Sequence, residues 1–272
     1  ADSPVAVAAA TDTVITCLPS VAAITTVVAG DRGLIEGFGP GSTWIDMSTN
    51  ERHELLRLAE LLAARGVHTL EAPVTGGAHN ASSATITVLV GGDDATFARH
   101  RSVFEAVGGR VFFLGELGQA AVIKVITNML AFIHIAATAE AYMLAARAGI
   151  DLRLAWEVIR ASSGNSFIHE TESTTILSGS YDIGFSLDLS CKDLGFATQL
   201  GRELDVPLDI AGLVEQLNIR ARAAYGGSAG SPMVARLLET ACGVDLRAPG
   251  FPATLDEYLA TMPRAERLHD QP

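Results

Sequence analysis

Up to about residue 117 the hydrophobic and polar positions switch repeatedly between two periods. TVITCL (13–18), STWIDM (42–47), VHTLEA (67–72), ATITVLVGG (84–92) and RVFFLG (110–115) are short apolar, β-branched runs bounded by Pro, Gly or Asp, and they predict strands. Between them, 52–66 and 93–109 carry apolar residues at helical spacing, the first ending at Gly66. Strand and helix in alternation predict a parallel α/β sheet. The chain opens with a helix signal, Ser3 as N-cap and Pro4 at the first helical position, and runs straight into a strand. A parallel sheet entered this way is entered in its middle, so a further upstream segment is expected.

After Gly118 the strand period disappears. No Pro or Gly interrupts 119–148 and Gly149 supplies a stop, which predicts one helix about 45 Å long. Its apolar residues wrap nearly all round, so it should be buried on several sides, between domains or in a subunit interface. Phe132, Ile135 and Tyr142 are the candidates for a segment packed against a second copy, in a homodimer or a homotetramer built from dimers. Further helices are predicted at about 151–162, 188–204, 208–225 and 231–242. The expected organisation is an α/β domain over 1–117 and an all-α domain over 118–272, with the long helix between them.

Composition narrows the class. The chain has 272 residues, is 49% hydrophobic, and carries a formal charge of −12 with a pI near 4.9. No basic stripe offers a nucleic-acid footprint. No apolar run of 18 residues suggests a membrane span and no leader pattern is visible, so the cytoplasm is expected. Three scattered cysteines without a CxxC pair, and histidines without ligand spacing, indicate neither a disulfide framework nor a metal site.

Of 19 basic residues only Lys124 and Lys192 are lysine. An amine can lose its proton when buried and a guanidinium cannot, so a lysine retained against this background marks chemistry that arginine would not serve. Lys124 and Asn128 lie four apart on the long helix and share a face. Together they could hold a substrate oxygen while the amine takes or returns its proton. The alternative is a lysine reaching to the surface and an asparagine satisfying local backbone. In EAPVTGG (71–77), Thr75, Gly76 and Gly77 place a hydroxyl and unshielded N–H groups after a strand, suited to a carboxylate. The same glycines would also serve a tight turn. His79 reads as a loop histidine rather than a catalytic base. CKDLGFA (191–197) holds Lys192 and Asp193, which alone read as a solvated helix face.

Taken together and in order, LPS (18–20), IDMST (45–49), EAPVTGG, GELGQAAVIKVITN (115–128) and CKDLGFA resemble the β-hydroxyacid dehydrogenase family over nearly the whole chain. The resemblance implies a Rossmann-like domain binding NAD or NADP, a helical domain, and an active site in the cleft between them. It implies hydride transfer between the nicotinamide and a small carboxylate substrate, a β-hydroxy acid or its semialdehyde, 3-hydroxyisobutyrate-like. Lys124 matches the proton-transfer residue and Asn128 its support. Thr75, Gly76 and Gly77 match the carboxylate loop, Phe185 and Asp193 the substrate pocket, and Leu18, Pro19, Thr49 and Lys192 the cofactor side. Ala84 and Ala120 stand where the family commonly has Gly, and Thr127 where it has Asn. No GxGxxG turn is present, and by the resemblance the upstream segment expected above, roughly 45–50 residues long, would carry it. The chain as read is therefore expected to bind the cofactor weakly. A non-catalytic oligomerising fragment is the competing reading. An imine reductase is disfavoured by Lys124, and a 6-phosphogluconate enzyme by the lack of basic residues near the 71–85 loop.

Overall fold

The structure, a computed structural model, describes residues 1–261. The chain forms two compact units, Ala1–Thr127 and Asn128–Pro272, and the division falls inside one continuous helix.

The first unit contains, in chain order, α1 (Pro4–Ala10), β1 (Thr13–Thr16), α2 (Val21–Ala29), α3 (Leu34–Gly37), β2 (Thr43–Asp46), α4 (Arg52–Ala63), β3 (His68–Glu71), β4 (Val74–Thr75), α5 (Gly77–Ser82), β5 (Ile86–Gly92), α6 (Asp94–Val107) and β6 (Gly108–Phe113). The sheet order is β1-β2-β3-β5-β4, with β6 on β5. β1, β2 and β3 are mutually parallel, and β5 and β6 are parallel. The expected parallel α/β sheet is found except at β5, which runs antiparallel to both β3 and β4. Side-chain alternation assigns a strand's faces and carries no information about its direction. Both faces are covered, as a largely parallel sheet requires. Val14 and Trp44, partners in register, pack with Ile24, Leu55 and Leu58. Ile45 and Leu70, one residue on, pack with Phe97 and Phe104. Ser3 does precede α1, but its hydroxyl makes no cap bond and instead accepts from the Arg32 guanidinium at 3.2 Å.

The long helix α7 spans Gln119–Arg147. It is followed by α8 (Leu152–Arg160), α9 (Phe167–Glu170), α10 (Ser173–Ser178), α11 (Leu187–Glu203), α12 (Asp209–Tyr225), α13 (Val234–Cys242) and α14 (Leu255–Thr261). The helix expected at 231–242 opens as a 3-10 turn, Ser231–Met233, because Pro232 cannot donate to an earlier carbonyl. Length and composition alone would let α7 cross a bilayer, yet 44% of its most apolar window is buried in this chain. Phe132, Ile135 and Tyr142 belong to the helical unit's own core with Trp156, Leu187 and Leu194. This corrects their assignment to a subunit interface: a helix apolar on all sides does not say which side its own chain covers. The exposed apolar side chains of α7 are Ile123, Ile126, Leu130 and Leu144.

A polar cluster is sealed within this core. His169 Nε2 lies 3.1 Å from the Trp156 carbonyl, which requires an N–H there, so Nδ1 accepts from the Tyr142 hydroxyl at 3.2 Å. Burial holds the His169 pKa below its ordinary value, consistent with a neutral ring.

Candidate active site

Thr16, Asp46 and Glu71 end three parallel strands and lie in one row of the sheet. A carboxylate closing a fully buried strand must find donors, and both do. Asp46 Oδ1 accepts from the Thr16 hydroxyl at 3.0 Å and from Ser48 N at 3.2 Å, and Oδ2 accepts from Asn50 Nδ2 at 3.2 Å. The Ser48 hydroxyl in turn accepts from Leu18 N at 2.9 Å. The turns after β1 and β2 are thereby tied together, and they bring Leu18, Pro19 and half-buried Thr49 to the carboxyl ends of adjacent strands. Burial pushes the Asp46 pKa up, against the hydrogen bonds that pull it down.

Glu71 reaches from β3 to the first turn of α7. Its carboxylate accepts the Gly118 N–H, the Ala120 N–H at 3.0 Å and the Ala121 N–H at 2.8 Å. Three of the helix's otherwise unpaired donors are thus satisfied by one side chain. Here too burial outweighs the three N–H bonds and raises the pKa. Gly91 makes room, since a Cβ there would meet Glu71 Oε1.

Two residues beyond Glu71 the chain leaves the sheet row. Thr75 ends β4, and Gly76 and Gly77 follow at φ +122° and +84°, values that a side chain resists. The glycines therefore do serve the turn, and their N–H groups stand at the start of α5. His79 folds its ring back over Gly77, close enough to meet a Cβ placed there. Ala84, where the resemblance expects Gly, sits at φ +55°.

On α7, Lys124 and Asn128 are one turn apart and each is 8% exposed. Asn128 Nδ2 donates to Asp193 Oδ2 at 2.6 Å, and Lys192 Nζ stands 3.0 Å from Asp193 Oδ1. Asp193 is 1% exposed, so the solvated helix face that KDL alone suggested is corrected for this residue. The lysine amine also lies 5.1 Å from the Phe196 ring centre. The carboxylate fixes the Asn128 amide, nitrogen toward Asp193 and oxygen away. Phe185, half-buried, packs on Phe132 with ring centres 5.7 Å apart.

The structure thus groups the predicted residues in two sets. Leu18, Pro19 and Thr49 gather on the α/β unit, with Thr75, Gly76 and Gly77 after the next strand. Asn128, Asp193, Lys192 and Phe185 gather on the helical unit, and α7 carries Lys124 one turn before Asn128. Sequence reasoning missed the roles of Asp46, Glu71 and Phe132, although acidic residues at the last position of buried strands were a usable signal.

Comparison with known proteins fits this arrangement. Residues 1–115 match the family described as the NAD binding domain of 6-phosphogluconate dehydrogenase, and residues 118–238 the one described as NAD-binding of NADP-dependent 3-hydroxyisobutyrate dehydrogenase. The chain is 32% identical to 2-(hydroxymethyl)glutarate dehydrogenase of Eubacterium barkeri, over 88% of this chain and 80% of that one. The fold is similar to 3-hydroxyisobutyrate dehydrogenase from Salmonella typhimurium, with TM-score 0.79 and 30% identity over 86% of this chain and 82% of that one. It is also similar to Psf3 in complex with NADP+ and 2-OPP, with TM-score 0.80 and 25% identity over 88% and 84%. Fold, matched segments and relatives agree, and the chain belongs to the β-hydroxyacid dehydrogenase family, NAD(P)-dependent oxidoreductases of 3-hydroxy acids.

Proposed function

We propose that this protein interconverts a small β-hydroxy acid of the 3-hydroxyisobutyrate kind and its semialdehyde, with Lys124 as the proton-transfer residue. The observation that carries this is the placement of a buried lysine one turn from an asparagine whose amide is locked by a buried carboxylate. When bound, NAD or NADP would supply the hydride acceptor or donor for this reaction. Leu18, Pro19 and Thr49 suit that end of the cofactor: apolar surface and one hydroxyl at the carboxyl ends of parallel strands, where such sheets bind dinucleotides.

In oxidation the Lys124 amine would take the hydroxyl proton, and in reduction the ammonium would return it. Asn128 holds the reacting oxygen, and Asp193 keeps its amide in one orientation. Lys192, paired with Asp193, supplies the positive charge on the cofactor side. Thr75 and the Gly76 and Gly77 N–H groups hold the substrate carboxylate, which positions the carbinol carbon. Relatives named 2-(hydroxymethyl)glutarate, L-threonate and 3-hydroxyisobutyrate dehydrogenase support a carboxylate-bearing substrate with a β-hydroxyl, L-threonate carrying a hydroxyl on C2 as well. The test is NAD(P)H formation with a panel of hydroxy acids and both cofactors. The reading expects turnover only with acids bearing a β-hydroxyl and fails if α-hydroxy acids serve equally well.

The helical unit is further proposed to pair with a second copy. Leu144, Leu154 and Val158 are more than half exposed on α7 and α8, where an isologous contact would cover them. These residues replace Phe132, Ile135 and Tyr142 as the candidates for that contact.

A further inference from the structure

Lys124, Asn128 and Phe132 fall at i, i+4 and i+8 of α7 and form one stripe along it. The stripe begins with an amine and an amide and ends in an aromatic ring. Phe132 is buried, and Phe185 packs against it with ring centres 5.7 Å apart and planes tilted by 39°. The backbone of Phe185 is held in place: its carbonyl accepts from Ser231 N at 2.8 Å, and the next residue, Ser186, caps α11 by accepting from Leu189 N at 3.3 Å. The same helix carries Asp193, so the Asn128 clamp and the aromatic pair fasten the same two segments within one unit. Phe132, Leu187 and Leu194 belong to one apolar cluster, against which Met129 and Phe185 pack. The hydroxyl of Ser190, on α11, is already engaged with the Leu187 carbonyl at 3.0 Å and Asn218 Oδ1 at 2.8 Å.

We infer that Phe132, backed by Phe185, is a specificity-determining residue that receives the substituent on the substrate's C2, the carbon between the carboxylate and the reacting carbinol. A short alkyl group there is accepted, while a hydroxyl is disfavoured and a longer arm excluded. This rests on the proposed reaction, since C2 is placed beside Phe132 only if Asn128 holds the β-hydroxyl oxygen. An apolar wall separates a methyl from a hydroxyl of the same size by up to about a hundredfold, because the hydroxyl loses its water partners and gains none.

The test uses the wild-type protein and four acids oxidised at the same carbon: 3-hydroxypropionate, 3-hydroxyisobutyrate, glycerate and 2-(hydroxymethyl)butanoate, whose C2 bears hydrogen, methyl, hydroxyl and ethyl. The expected kcat/KM ratio of methyl to hydroxyl is about ten- to a hundredfold. In Phe132→Ala the methyl-to-ethyl ratio should fall at least tenfold; because this opens the core, Phe132→Leu provides a milder change in the same direction. Each ratio compares two substrates on one preparation and is unaffected by the fraction folded. Turnover of all four acids, abolished in Lys124→Arg but with a methyl-to-hydroxyl ratio within twofold of unity, would overturn the inference and leave the reaction standing. No turnover of any of the four with either cofactor would overturn both.

Discussion

Replacing Glu71 with Ala removes the one side chain that closes the first turn of α7. Three N–H groups lose their acceptor, those of Ala120 and Ala121 belonging to buried residues. An ordinary cap is worth about 1 kcal/mol, and a hydrogen bond to a charged acceptor about 1.5–3 kcal/mol. Water entering the vacated space would satisfy part of the loss, and the cost of burying the carboxylate disappears with it. The net expectation is about 2–4 kcal/mol, read as a lower urea midpoint at unchanged slope. A pH series supplies the sign. Burial raises the folded pKa of Glu71 above its ordinary value near 4.5, so between the two values the folded state binds more protons than the unfolded state. The Glu71 contribution is then fully present below about pH 4.5 and declines as the pH rises through the folded value. Wild type should therefore lose ground against Glu71→Gln on going from pH 4 to pH 7. A loss below about 1 kcal/mol in Glu71→Ala would show instead that water serves those donors equally well.

Asp193→Asn should lower kcat by at least tenfold with a smaller change in KM, because an amide facing the Asn128 amide no longer dictates its orientation; steady-state kinetics check this, and an unchanged kcat would remove Asp193 from the site. Ala84→Gly should stabilise the protein by about 0.5–1 kcal/mol, the roughly 1–2 kcal/mol of left-handed strain exceeding the backbone entropy cost of glycine, with thermal unfolding as the assay. Light scattering at micromolar concentration should give a dimer or tetramer for wild type and a smaller species for Leu154→Glu combined with Val158→Glu; a wild-type monomer would end that proposal.

What the sequence made legible was what periodicity encodes. The absence of Pro and Gly from 119 to 148 predicted α7 to within a residue or two, and β2, β3 and β5 lie inside runs of β-branched and apolar residues. The antiparallel course of β5 was not legible, since alternation is the same in either direction, and β4 is too short to show a period. At the site, Lys124 and Asn128 stood out through helical spacing and the scarcity of lysine. Asp193 was marked only by the family resemblance, because a Lys-Asp pair on a helix reads as solvated until Asn128 is seen beside it, 65 positions earlier in the chain. Phe132 was read as an interface residue because an apolar position says that it is covered and not by what. Ala84 reads in the sequence only as an alanine where the family commonly has Gly, and its φ of +55° is what shows the strain.

Lys124→Arg isolates the proposed proton transfer, because charge is kept while deprotonation is lost. Turnover of 3-hydroxyisobutyrate should fall by about 10²–10⁴-fold, the range typical of a lost acid–base residue, with cofactor affinity changed little. Activity within threefold of wild type, with the variant folded, would show that Lys124 does not move the proton.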